Sequence, residues 1–338
     1  MNKRIITLLI GVALCQMAQG QTEADALRYS QLTSGGTARV QAIGGAAGSL
    51  GGDVTSLSVN PAGIGLYKTN EFEVTPGLLN SSNQSSYLGS SGSASKTNFY
   101  IGNAGIIFAS DLSGADQTGW KNITFGISIN RLANFNQNIY YTGNNNQTSY
   151  ADYYTQQLQG QTDLTGAEQN YPYGASEAIN TGLIGPQVDS SNQLTGNWES
   201  IVPVSSGIRQ ENSISSSGGL NELSLGIAGN YDDRFFLGGS LNFPTIKYNS
   251  TQTFQETNLN DKSSPLNYYT VSNFLTTDGI GINGKLGVIY KVNEALRFGA
   301  AFHTPTIYSM NDTYSTSMTT VSKDQGTLTN TTEDIQGG

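Results

Sequence analysis

The sequence predicts an all-β protein, a transmembrane antiparallel β-barrel with an N-terminal hatch, and three observations carry that expectation. From Gly279 to Tyr308 the chain alternates: Ile282, Leu286, Val288 and Tyr290 share one side, and Asn283, Lys285 and Gly287 the other. After a polar turn at Lys291–Glu294, Leu296, Phe298, Ala300 and Phe302 oppose Arg297, Gly299, Ala301 and His303. Period two is that of a β-strand, and small or polar residues behind an apolar face suit a wall between lipid and a wet interior. Charge is scarce: 12% of the 338 residues, against roughly 25% in a typical soluble domain. Polarity comes from Asn, Gln, Ser and Thr, while 41 Gly and 18 Tyr suit strands, tight turns and interfacial aromatics. Finally, 36% hydrophobic residues and a mean hydropathy of -0.30 exclude a bundle of membrane helices but not membrane strands, whose apolar residues are diluted one for one.

Residues 1–20 read as an export signal. Lys3 and Arg4 give the positive start, Ile5–Leu14 the apolar run, and Ala18-Gln19-Gly20 the small-x-small site. Cys15, the one cysteine, leaves with it; Leu14 before it is too large for a lipidation site. The formal charge of -9 and the lack of a basic stripe argue against a nucleic-acid partner.

Residues 21–68 form the expected hatch, or plug. Ala24–Leu32 suits a short helix and Thr37–Ile43 a second element; Gly44-Gly45, Ala46-Ala47 and Gly51-Gly52 allow close approach to a surrounding wall. Asn60-Pro61 ends a turn, because proline restricts the residue before it. Val54, Leu57, Val59, Ile64, Leu66 and Tyr67 are too apolar for a solvated linker. Gly35-Gly36-Thr37-Ala38-Arg39, then Ala42-Ile43-Gly44-Gly45-Ala46, then Ser58-Val59-Asn60-Pro61-Ala62-Gly63 ahead of the first strand resembles the hatch of the FadL/TodX family of outer-membrane transport proteins. Tyr290-Lys291-Val292-Asn293, followed by Leu296-Arg297-Phe298-Gly299 and Pro305, resembles that family's later strands.

Residues 69–338 read as barrel strands with long extracellular loops. Phe72, Val74 and Leu78 mark a first strand; Tyr100, Gly102, Ala104, Ile106 and Phe108, on one side, a second; Phe125, Ile127 and Ile129 a third. Alternation loosens near Asn130–Phe135, where the resemblance implies a kink that opens the wall sideways; an ordinary twisted strand is the other reading. Asn80–Lys96, Gly143–Gly219 and Gln252–Asp278 read as polar loops, the last two outside the cell. Leu223–Tyr231 and Phe235–Phe243 form a hairpin about Asp232-Asp233, placing short turns on the periplasmic side. About seven strands precede a Thr/Ser-rich tail at 314–338. The family has fourteen, so the expectation is a chain truncated before the barrel closes, or else a smaller barrel closed by a strand hidden in 200–217.

Catalytic chemistry is not expected. His303 is the lone histidine and has no specified acidic partner; there is no His/Cys metal cluster and no phosphate-cradling loop, so no metal and no cofactor is assigned. The resemblance implies passive uptake of long-chain fatty acids or other hydrophobic small molecules by a monomer in the cell outer membrane, in contact with its lipid. Asn60, Pro61 and Ala62 would hold the hatch in register. Lys285, Arg297 and His303 face the interior, either to meet a ligand carboxylate or to solvate the lumen. A hemin receptor of the same architecture and a structural or adhesive outer-membrane protein are the alternatives.

Overall fold

A computed structural model describes residues 23–33, 35–112 and 119–337; the export signal expected over 1–20 lies outside the described residues. The strands are β1 (Glu71–Tyr87), β2 (Ser90–Asp111), β3 (Trp120–Asn134), β4 (Gln137–Asn145), β5 (Ile184–Val188), β6 (Leu194–Ser200), β7 (Ile208–Tyr231), β8 (Phe235–Asn258), β9 (Leu266–Lys291), β10 (Arg297–His303), β11 (Ile307–Ser322), β12 (Gly326–Thr331) and β13 (Ile335–Gly337). Eleven of them form one antiparallel sheet in the order β1-β2-β3-β7-β8-β9-β11-β12, with β4 beside β7, β10 beside β9 and β13 beside β11. β5 and β6 make a separate hairpin. β3 and β4 share the length of β7, and β10 and β11 share that of β9, so each pair is one interrupted strand. No ladder joins β1 to β12 or β13 among the described residues. No described helix is long and apolar enough to cross a membrane.

The lower end of the sheet is set by tight turns. Asp232 and Asp233 both have φ +53, the left-handed pair of a tight turn that the Arg234 N–H closes on Tyr231 O at 3.2 Å, with three residues between the paired Tyr231 and Phe235. Asn230 makes this tolerable for non-glycine residues: its Oδ1 accepts from the Asp233 N–H at 3.0 Å and its Nδ2 donates to Asp233 Oδ1 at 2.9 Å. Trp120 packs edge-on to Tyr231 at 5.5 Å beside this turn.

Two of the bulges in the ladders re-aim the strands near the inner segment. Thr75 faces Asn103 but Pro76 faces Ile101, so Gly102 is the extra residue of β2. Tyr100 therefore points to the face opposite Phe108, contrary to the sequence reading, and lies over Gly77, while Phe99 and Ile101 are exposed. In β3, Arg131 faces Asn221 and Ala133 faces Leu220, so Leu132 is extra and the inward positions change from even to odd. That switch is why alternation fades between Asn130 and Phe135.

Strands run much further than their hydropathy indicates: β7, β8 and β9 have 24, 24 and 26 residues. Stretches expected to be loops over 80–96, 208–219 and 252–278, and the tail from 314, are largely strand. Of the segment 200–217, weighed as holding a hidden strand, residues 208–217 are the upper part of β7. The cause is compositional. Outward residues near the lower end are Phe235, Leu237, Leu241, Ile280, Ile282, Leu286, Phe298 and Phe302, all exposed. Above Asn221, Thr245 and Asp278 the same face becomes mostly Ser, Thr, Asn and Gln with scattered charges, interrupted by Tyr268 and Phe274, so the outward apolar stripe is lost and only the inward side keeps apolar residues such as Ile246, Tyr248 and Val271 while the ladder continues.

One face of the sheet holds a segment of residues 35–67, called the inner segment below. Helix α1 (Glu23–Ser30) precedes it, and it contains α2 (Ala38–Ala42), α3 (Ser56–Val59) and a 3-10 turn at Pro61–Leu66. Val54, Leu57 and Ile64 are fully buried in a cluster with Ile107 of β2 and Ala228 of β7. The approach is so close that a Cβ on Gly238 of β8 would lie 2.5 Å from the Pro61 backbone, and one on Gly287 of β9 would overlap Asn60. At the upper end, residues 146–207 fold into a cap of α4 (Ala151–Leu158), α5 (Leu164–Asn170), α6 (Ala175–Asn180) and the β5–β6 hairpin. Tyr154, Leu158, Leu183, Trp198 and Val202 pack there on Ile208, Tyr269, Val271 and Met318 of the long strands. Tyr154 and Trp198 are thus core, while Tyr150 and Tyr153 remain exposed and stack at 6.0 Å.

Candidate functional site: a clamped segment beside a break in the wall

Asn60 is the pivot of the inner segment. Its Oδ1 accepts from the Ala62 N–H at 3.2 Å, capping the 3-10 turn that Pro61 starts with its preset φ. Its Nδ2 donates to the carbonyls of Gly48 (2.6 Å), Val288 (3.2 Å) and Ala300 (3.4 Å), joining the segment to β9 and β10. Pro61 and Ala62 are buried, with Ala62 packed on Phe236 and Ile289.

The three basic side chains singled out in the sequence all reach carbonyls of this segment. Lys285 Nζ donates to Ser58 O at 2.9 Å, Arg297 to Leu50 O at 3.0 Å, and His303 Nε2 lies 2.9 Å from Val59 O. Glu222, which sequence reasoning missed, lies across the sheet from Lys285 and pairs with it at 2.6 Å. Both are buried, and a buried carboxylate without such a partner would be strongly destabilising. Its only signal in the sequence was a charge on the inward side of a strand in an acid-poor region. Lys285 is thereby neutralised and held, whereas Arg297 is half-buried and His303 exposed. Lower down, Tyr67 donates to Glu71 Oε1 at 2.8 Å; burial and then this carboxylate raise its phenol above the ordinary range.

The wall is incomplete between β2 and β3. Their ladder covers only Asn103–Asp111 against Asn122–Asn130. Above it, β1 and β2 meet β4 through side chains instead: Asn83 Nδ2 donates to Asn138 O at 2.7 Å and Asn138 Nδ2 to Ser95 O at 3.2 Å. At the start of this break the bulged Leu132 carbonyl accepts from both the N–H and the hydroxyl of Thr33, at 2.8 and 2.7 Å. A cavity of about 550 Å³ lies here, lined by Arg28, Gln31 and Thr33, by Leu79–Ser82 of β1, and by Ala133–Gln137 and Tyr248. Its apolar floor continues into a cluster of Phe135, Leu220, Ile246 and Tyr248, on which Tyr29 packs edge-on at 6.0 Å. Arg28 is the one charged lining residue; its guanidinium lies 4.0 Å over the Tyr248 ring and pairs with Asp25. Ala133–Phe135 fall in the stretch read from sequence as a kink and Arg28, Gln31 and Thr33 in the expected hatch, but none was singled out as a ligand contact, because the lining residues lie far apart in the chain and meet only through the bulge.

An apolar floor with polar groups at its rim can hold an amphiphile, whose anionic end would meet Arg28 in competition with Asp25. Among the described residues no group of three or more His, Cys, Asp or Glu is placed to hold a metal ion. No family model matches the chain, and no curated protein or solved structure matches it.

Proposed function

We propose that the sheet is the wall of an outer-membrane β-barrel, that residues 21–68 are its hatch, and that the protein passively transports long-chain fatty acids or other hydrophobic small molecules. The break between β2 and β3 carries this reading. It sets an amphiphile-sized cavity beside an outward face rich in exposed Leu, Ile and Phe, giving an apolar solute a sideways exit. Membrane placement is supported by the height of that face. From Phe235 to Phe243 roughly nine residues rise about 30 Å along the strand, which a tilt of about 40° reduces to near the ~25 Å apolar band of such barrels. Closure of the wall, with a partner for the free edge of β1, belongs to the proposal, since an unpaired edge in lipid costs several kcal/mol per group. So do the export signal over 1–20, the outer-membrane location, the monomeric state and the resemblance to the FadL/TodX family.

The test is binding and uptake by the full chain in proteoliposomes. A labelled long-chain fatty acid should bind saturably and cross faster than in protein-free vesicles, and Phe135→Asp should abolish the gain. Hemin serves as the competing ligand: a hemin absorbance shift with no fatty-acid binding would replace this reading by the hemin receptor, and no response to either would leave a structural or adhesive role.

A further inference from the structure

On the outward face, two rows of residues stand in register at the upper limit of the apolar band. Asn221, Thr245, Ile280 and Ser309 face one another across β7, β8, β9 and β11, and one step above them Lys247, Asp278 and Asn311 do the same across β8, β9 and β11. Below these rows Leu241 of β8, Ile282 of β9 and Ile307 of β11 are exposed. A cleft of about 520 Å³ opens here, lined by both rows. Next to it the β8–β9 ladder lapses at Phe243 and Pro244, since proline has no N–H to give.

The polar groups of the cleft carry both signs and are sorted by side. Over β7 and β8 stand donors: Lys247 Nζ, and Asn221, whose Oδ1 already accepts from Arg131 at 3.2 Å and so leaves its amide nitrogen to donate. Over β9 and β11 stand the Asp278 carboxylate and the Ser309 hydroxyl, both acceptors. Lys247 and Asp278 approach only to 3.9 Å with both side chains more than half exposed, so the pair contributes little by itself and either member can take another partner. An anion alone would meet Asp278, and a cation alone would meet Lys247; a head that carries both charges answers both. The exposed apolar residues below suit its tails. We infer that this cleft binds a phosphoethanolamine-headed lipid. The phosphate lies toward Lys247 and Asn221, the primary ammonium toward Asp278 and Ser309, and the acyl chains along Leu241, Ile282 and Ile307. A primary ammonium is preferred to a quaternary one because it donates charge-assisted hydrogen bonds to the carboxylate. This site rests on the reading of the sheet as a membrane wall, and adds to it a lipid held by the wall rather than carried past it.

Native mass spectrometry of the full chain in a non-ionic detergent tests the inference, with dioleoyl phosphatidylethanolamine and the matching phosphatidylglycerol and phosphatidylcholine as probes. Phosphatidylethanolamine should be retained about fivefold over the other two, the factor that one hydrogen bond of this kind supplies. Asp278→Ala should remove the preference, and Lys247→Met should lower retention of all three lipids; Thr251→Val, higher on the same face, should change neither. Equal retention of the three lipids by the parent, a preference that survives Asp278→Ala, or retention indifferent to Lys247→Met overturns the site. Insertion of the full chain into vesicles is followed alongside by protection from protease. A chain that inserts without the preference overturns the site alone, and one that does not insert overturns the membrane reading with it.

Discussion

Thr33 places both its N–H and its hydroxyl on the carbonyl of Leu132, the bulged residue at which β3 loses contact with β2. A single threonine from the chain ahead of the inner segment thus occupies the corner of the break. Thr33→Val removes the hydroxyl bond and keeps the N–H. At about 1 kcal/mol for such a bond, the corner should open roughly five times more often. The check is the rate of maleimide labelling of a cysteine placed at Asn134, with Thr33→Ser as the control that retains the parent rate.

Lys285→Met would leave Glu222 buried without its cation. A loss of about 3–5 kcal/mol is expected, read as a lower urea midpoint and faster protease cleavage within residues 44–52. Adding Glu222→Leu should restore most of it, because the pair removed together leaves no orphan charge. Equal damage by the single and double variants would show that the ion pair contributes little.

Asn60 acts through two different atoms, and two substitutions separate them. Asn60→Asp keeps the acceptor that caps the Ala62 N–H but loses the donor shared by Gly48, Val288 and Ala300. Asn60→Ala loses both, and the cap alone is worth about 1 kcal/mol. Amide exchange should therefore rise over 61–66 in the alanine variant alone, and over 48–50 in both.

Tyr154 lies in the cap, outside the long strands, and burial raises its phenol well above the ordinary range, assisted by Tyr150. A raised folded-state value means that the stability is fully present below the unfolded value of about 10 and is lost as pH rises beyond it. The cap should loosen above roughly pH 10 while the sheet persists. With Trp120→Phe in place, Trp198 fluorescence reports the cap alone, and Tyr154→Phe should move the transition to higher pH.

Outward positions should differ by height. Leu241→Arg is expected to cost about 2–4 kcal/mol for folding into lipid vesicles, whereas Thr251→Arg on the same strand and face should cost almost nothing. Equal costs at the two positions would argue against a membrane boundary between them.

Much of the lower sheet was legible because one face is apolar there. The hairpin of Leu223–Tyr231 with Phe235–Phe243 about Asp232-Asp233 and the sides taken by Lys285, Arg297 and His303 follow from alternation, whereas the register, Tyr231 opposite Phe235, does not. The upper halves were hidden by the same logic: strands such as 80–87 and 249–258 are held by ladders between mostly polar residues, and hydropathy has little period to show. The bulges at Gly102 and Leu132 were misread or only sensed, since one extra residue reverses every later assignment. Asn60 could be singled out by its neighbour Pro61, yet its reach to Val288 and Ala300 spans over two hundred residues and has no local trace. Glu222, Arg28 and Tyr248 were beyond reach for the same reason.

The change from Leu241 and Phe243 to Thr245 on β8, matched at Asn221 on β7 and Asp278 on β9, acts as a depth gauge written into three neighbouring strands. If those strands cross a bilayer, their remaining dozen or so residues stand clear of it like a chimney. The mouth capped by Tyr150 and Tyr153 would then sample solutes well above the lipid headgroups, at a distance from the surface fixed by strand length rather than by the loops.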